Sequence, residues 1–329
     1  MSAKLAERKL ADCCSPTFLF VLIRTVHFAA CLLLLAVWAF DRLVLPAVKS
    51  PGSLMLRDRW VISESRWTLI LLPVIAISGG AWFVQLCVNM SGLSLREAMQ
   101  AETVRAVWNE TNFGRLWQLR SVLWLGALNM PVAISLRMPR IFRSMSAWFN
   151  LVLAGALVSS LAWAGHGQDG GGWHLLADAV HLFIAALWPM GLAPFALMLF
   201  KLRKLPTPQR RWDIAAVTLR FSAMSFISVG LLTITGVANG VFMVGSFGDL
   251  IGTNYGRVLI LKVVLFLVIL SLAAINLIRF KRRLADCESA EMHDASSATL
   301  QWNVAGELSL GVIILIVTAA LGLMAPGHG

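Results

Sequence analysis

Thr111-Asn-Phe-Gly-Arg-Leu-Trp-Gln-Leu-Arg120 returns further along the chain as Thr253-Asn-Tyr-Gly-Arg-Val-Leu-Ile-Leu-Lys262, with five of ten residues identical and the aromatic, aliphatic and basic positions kept in kind. Each copy leads directly into a long apolar stretch. Two further matches keep the same order: Val26-His27 against Val180-His181, and Gly165-His166-Gly167 against Gly327-His328-Gly329. A recurrence of this kind constrains the whole architecture. It predicts two tandem copies of one unit, residues 17–167 and 168–329, behind a short outward-facing N-terminal segment, 1–16.

The content of the unit follows from the apolar runs. A helix that crosses lipid needs about 20 apolar residues, since the hydrocarbon offers no water to an unpaired backbone group. Eight runs reach that length, at 17–45, 67–90, 116–136, 146–165, 173–200, 217–245, 257–280 and 302–325. The expected fold is therefore an all-α polytopic membrane protein of eight transmembrane helices in two tandem four-helix repeats. Four spans return the chain to its starting side, so the halves share one orientation and relate by a pseudo-two-fold along the membrane normal. The segment from Met90 to Thr111 in the first half is shortened in the second, between Gly245 and Thr253.

Composition agrees with that reading: 58% of residues are hydrophobic, 14% are charged, and the charges fall between the runs. A net charge of +11 would suggest nucleic acid in a soluble protein. Here the basic residues occupy loops, which makes them an orientation signal and removes nucleic acid as a partner. With strictly alternating spans, 18 of the 28 lie on one side, among them Arg57, Arg140, Lys201, Arg211 and Arg282. That side is the cytoplasm, and both termini face the periplasm, against the local pull of Lys4, Arg8 and Lys9. The first run is too long for a cleavable signal peptide and stays as helix one. Five scattered cysteines imply no disulfide framework; the pair Cys13 and Cys14 is either incidental or a soft-metal site.

Five of the six histidines fall on the outward side, although nothing in building a membrane helix requires it. His27 and His181 lie roughly 12 to 15 Å below the outer ends of their spans at helical rise, and His166, His174 and His328 lie at the outer surface. His174, Asp178 and His181 are spaced i, i+4 and i+7, a ladder on one helical face. His27 and Cys31 are i and i+4, as are Asn239 and Met243, with Cys87 and Met90 at matching depth in the second span.

Imidazole, thiolate and thioether suit copper, the last two favouring Cu(I). Ionisable groups at membrane depth are costly and default to function. Each of these groups also has an ordinary structural role open to it. Cys31, Cys87, Met90 and Met243 are common helix packing, and the glycine-flanked His166 and His328 are ordinary solvated turns. Asp178 either accepts the second N–H of a histidine or pairs with Arg24 or Arg120. Arg120 and Lys262 either snorkel or bind an anion. No phosphate loop, zinc-protease helix or nucleophile elbow is present, so the expectation is a non-enzyme.

His174-Leu-Leu-Ala-Asp-Ala-Val-His181 running to Trp188, then Arg220-Phe-Ser222, Thr235-Gly236 and Thr253-Asn-Tyr-Gly-Arg257 with Lys262 resemble the copper resistance D proteins of bacteria, CopD and PcoD. The resemblance covers 173–280; the first half shares mainly span count and the His27 helix. It implies an inner-membrane protein that moves copper across the membrane from the periplasmic side, often receiving it from a CopC-type chaperone, with His27 and His181 at metal-contacting positions. One departure is Trp188-Pro189-Met190-Gly191 where relatives commonly have Trp-x-Gly-Gly; the proline predicts a kink in helix five. The expected function is copper transport, with capture by His166, His174 and His328 and deeper binding by His27 and His181. The alternatives are haem b held between two helices, and a copper-binding scaffold that metallates a partner without transport.

Overall fold

The computed structural model describes residues 16–47, 51–136, 138–164, 171–204, 207–286 and 290–325. Regular structure among them is entirely helical: α1 (Pro16–Ala39), α2 (Pro51–Ser91), α3 (Leu95–Ala98), α4 (Ala101–Glu110), α5 (Asn112–Gly126), α6 (Asn129–Ser135), α7 (Arg140–Ser159), α8 (Gly171–Leu187), α9 (Leu192–Leu202), α10 (Thr207–Met243), α11 (Phe247–Gly252), α12 (Asn254–Asp286) and α13 (Ala290–Leu321). Seven stretches are long and apolar enough to cross a membrane: Phe18–Val44, Arg66–Ser91, Ile141–Ala164, Gly171–Leu202, Trp212–Met243, Asn254–Arg279 and Thr299–Leu321. The chain is a multi-pass membrane protein, and these seven correspond to seven of the eight expected runs.

The run 116–136 is divided between α5 and α6, each shorter than a bilayer requires. Pro131 explains the break, because it has no N–H to offer the carbonyl four residues back and its ring crowds that carbonyl. The Asn129 side-chain amide takes over the last turn, donating to Gly126 O at 2.6 Å and to Asn150 Oδ1 at 2.7 Å. Pro189 acts as its position predicts. Helix α8 stops at Leu187 and α9 starts at Leu192, with Met190 N–H reaching back to Ala185 O at 3.2 Å.

Helix α1 forms the centre. Apolar on all sides from Phe28 to Ala39, it is largely buried along that length and packs on α2, α7, α8 and α13. At its end the helix widens into a π turn over Phe40–Val44. Helix α12 is peripheral: it packs chiefly on α13 and only sparsely on α10, and apolar residues such as Val263, Val264 and Leu267 are exposed along it. Outward apolar surface of this kind is what lipid covers.

The recurrent Thr-Asn-aromatic-Gly-Arg segment has a structural cause at both places. Thr111 Oγ1 caps α5 by accepting from Gly114 N–H at 2.9 Å, and its hydroxyl donates to Val107 O at 2.6 Å. Thr253 Oγ1 does the same for α12, with Gly256 N–H at 3.0 Å and Asp249 O at 2.6 Å. The threonine thus clips one helix to the one before it. Glycine follows because a Cβ at position 114 would lie 2.2 Å from Trp108 O, and one at 256 would lie 2.2 Å from Leu250 O. Gly256→Ala is therefore expected to cost about 1–3 kcal/mol, read as a lower unfolding midpoint in detergent; an unchanged midpoint would show that the α11–α12 corner yields freely.

Candidate metal centre

His27 is 1% exposed, and both of its ring nitrogens are engaged. Arg120 Nη2 lies 2.7 Å from Nε2, and a guanidinium can only donate, so Nε2 carries the lone pair. Nδ1 then carries the proton and donates to Ser78 Oγ at 3.0 Å, while the Ser78 hydroxyl donates to Val74 O at 2.6 Å. Trp82 and Trp117 stand edge-on to the ring at 5.6 and 5.7 Å, and a Cβ at Gly79 would touch it at 3.0 Å. Cys31 Sγ is 3.8 Å from Nε2 and accepts from Arg120 at 3.7 Å.

Arg120 does not snorkel. At 3% exposure, it also donates to Leu157 O at 2.9 Å and to Ser160 Oγ at 2.5 Å, so both Nη groups of a buried guanidinium are engaged while its Nε has no hydrogen-bond partner among the described residues. Internal acceptors take the place of water at its Nη groups, and that decides its course.

The corresponding residues of the second half are arranged differently in one respect. His181 Nδ1 lies 2.9 Å from Thr235 Oγ1, whose hydroxyl donates to Leu231 O at 2.7 Å. Thr235 must therefore accept, and Nδ1 carries the proton. The remaining nitrogen, Nε2, has no hydrogen-bond partner among the described residues, and His181 lines a cavity of about 730 Å³. Gly236 sits beside the ring as Gly79 does beside His27.

Helices α1, α8, α10, α11, α12 and α13 wall this cavity: Arg24 and Phe28 from α1; His174, Asp178 and His181 from α8; Gly236, Asn239 and Met243 from α10; Phe247 and Leu250 from α11; Tyr255 and Lys262 from α12; and Thr318 and Leu321 from α13. The predicted i, i+4, i+7 ladder thus shares one wall. Asp178 pairs with neither Arg24 nor Arg120 but accepts from Asn239 Nδ2 at 3.2 Å. Lys262 is close enough to act electrostatically on both Asp178 and His181.

His174, expected at the outer surface, is 2% exposed and stacks on Phe242 at 4.9 Å, because the first turn of α8 is covered by the end of α10. Met243 is buried beside Tyr255 and Leu321. His166 and His328 lie outside the described residues, as do Cys13, Cys14 and Cys287.

His27 does not line the cavity, although its helix neighbours Arg24 and Phe28 do. His27 and His181 therefore occupy separate settings, one filled by Arg120 and one open. Cys87 packs with Ala98 and Val107 in a small apolar cluster, and Met90 is exposed. Among the described residues, no three His, Cys, Asp or Glu side chains gather closely enough to hold one metal ion.

Sequence reasoning missed Ser78 and Gly79. Their signal was a Ser-Gly pair in the second span answering Thr235-Gly236 in the sixth. It also passed over Glu307, a carboxylate inside an apolar run, which is buried and accepts from Asn276.

The family model of the copper resistance protein D-like N-terminal domain matches residues 15–177, and that of copper resistance protein D matches residues 215–321. Copper resistance protein D of Pseudomonas syringae pv. tomato is 26% identical over 94% of this chain and 97% of its own length. Copper transport protein CutJ of Bacillus subtilis (strain 168) is 28% identical over 76% of this chain, which spans 44% of that protein. Inner membrane protein YebZ of Escherichia coli (strain K12) is 23% identical over 94% of this chain and 99% of its own length. No solved structure matches the chain.

Proposed function

Because the chain belongs to the copper resistance protein D family, we propose that it is a copper-binding transporter of the bacterial inner membrane, taking copper from the periplasmic side and moving it toward the cytoplasm. The observation that carries this reading is the His181 ring, with its Nδ1–H fixed on Thr235 and its Nε2 lone pair left for the cavity. An imidazole with one nitrogen held by a hydrogen bond presents the other to a metal in a set direction. His174 and Asp178 on the same helical face, with Met243 opposite, supply further donors of the types copper takes. Their order along α8 suits handing the ion from mouth to interior.

In this reading His166 and His328 stand at the periplasmic entrance, and a CopC-type chaperone delivers the ion there. Helices α5 and α6 together make the eighth crossing, the halves form four plus four spans, and both termini are periplasmic. The like settings of His27 with Ser78 and His181 with Thr235 support that arrangement. His27 has the part of an anchor, its nitrogens being taken by Ser78 and Arg120, and Cys31 packs beside it. The same occupation weighs against haem b ligated by His27 and His181.

Copper uptake into proteoliposomes tests the proposal and separates transport from scaffolding, since a scaffold binds the ion without moving it. Thr235→Val removes the acceptor for Nδ1–H while keeping the side chain's shape. It is expected to weaken copper binding by about 10–100-fold and to slow uptake at low copper. Binding without uptake in the wild type would overturn the transport reading.

A further inference from the structure

The cavity holds more positive than negative charge. Arg24 and Lys262 both line it, against one carboxylate, Asp178. Among the described residues neither cation has a carboxylate within ion-pair distance. Arg24 donates to Gly322 O at 2.9 Å and lies over the Trp82 and Phe28 rings at 4.8 and 5.8 Å. Lys262 has no hydrogen-bond partner there, and Asp178 accepts only from Asn239. Asp178 acts on Lys262 from beyond ion-pair distance and offsets at most one of the two cations, and a charge at membrane depth left without a counter-charge is costly. A bare copper cation on His181 would worsen the imbalance, because like charges repel strongly where water is scarce.

We infer that copper occupies this cavity together with a small monoanion that is itself a ligand of the metal, the copper on His181 Nε2 and the anion held by the Lys262 ammonium. The inference rests on the copper reading above. The first half supplies the contrast. Arg120, at the matching place in the recurrent segment, spends its Nη donors on His27, Leu157 and Ser160. Lys262 has the same place but a compact ammonium with rotatable donors, suited to hold an anion and release it. A metal–anion pair also carries less net charge through the low-dielectric interior than the metal alone.

Chloride is the probe. Uptake into proteoliposomes is measured at fixed free copper with chloride or gluconate as the anion. Wild-type uptake is expected to be about tenfold faster in chloride, equivalent to about 1.4 kcal/mol, with labelled chloride entering alongside copper. Lys262→Gln is expected to bring the chloride-to-gluconate ratio to about one, and Lys262→Arg, which keeps the cation, to retain the preference. Equal wild-type rates in the two anions, or a chloride preference that survives in Lys262→Gln, would overturn the inference. Chloride NMR line broadening by the metal-free protein reads the anion site separately from transport. Broadening lost in Lys262→Gln supports the site even where copper uptake fails, and no broadening by the wild type overturns it.

Discussion

His181→Ala protein is expected to lose copper affinity by more than about 100-fold, beyond the range that removing a supporting hydrogen bond produces. The reason is geometric. His181 has its second nitrogen left for the cavity, while that of His27 is covered by Arg120 at 2.7 Å. Equilibrium dialysis of purified protein, with His27→Ala as the companion, decides between the two rings. The companion is expected to keep its copper stoichiometry and to unfold at lower temperature, since Ser78 and Arg120 each lose a buried partner. Wild-type affinity in the His181→Ala protein would remove His181 as the ligand, and with it the proposed route through α8.

Arg120→Ala carries the largest expected cost in stability. Its guanidinium joins α5 to α1 through His27 and to the end of α7 through Leu157 and Ser160. Hydrogen bonds from a charged donor contribute about 1.5–3 kcal/mol each, and a buried acceptor left without its donor adds a penalty. The variant is therefore expected to lose about 3–5 kcal/mol, comparable to breaking a buried charge pair. The lost planar fork makes Arg120→Lys intermediate, since one ammonium cannot reach all three acceptors as the guanidinium does. Tryptophan fluorescence on denaturation reports the change directly, because Trp117 lies under the Arg120 guanidinium at 4.9 Å. An Arg120→Ala protein as stable as the wild type would mean that water replaces the guanidinium at no cost.

Much of the fold was legible because lipid imposes a simple demand. Seven of the eight expected runs are helices long and apolar enough to span a membrane, and Pro189 breaks the fifth where its missing N–H requires. The run at 116–136 shows the limit of hydropathy, which counts apolar residues and does not weigh Pro131 against its neighbours. The ladder His174, Asp178 and His181 was also legible, since one helix sets that spacing by itself. The burial of His174 was not, because Phe242 covers it from another helix.

Sequence by itself determined the membrane class, the positions of the apolar helices and the recurrence that matches Arg120 with Lys262, because backbone hydrogen bonding in lipid and helical periodicity are local properties. Tertiary structure alone decided which histidine has a nitrogen left over. His27 and His181 look alike in sequence, and their difference arises only when α5 brings a guanidinium onto one ring while α10 and α12 stand apart around the other. A lone pair is open or closed according to what packs against it, and that is settled by helices far apart in the chain.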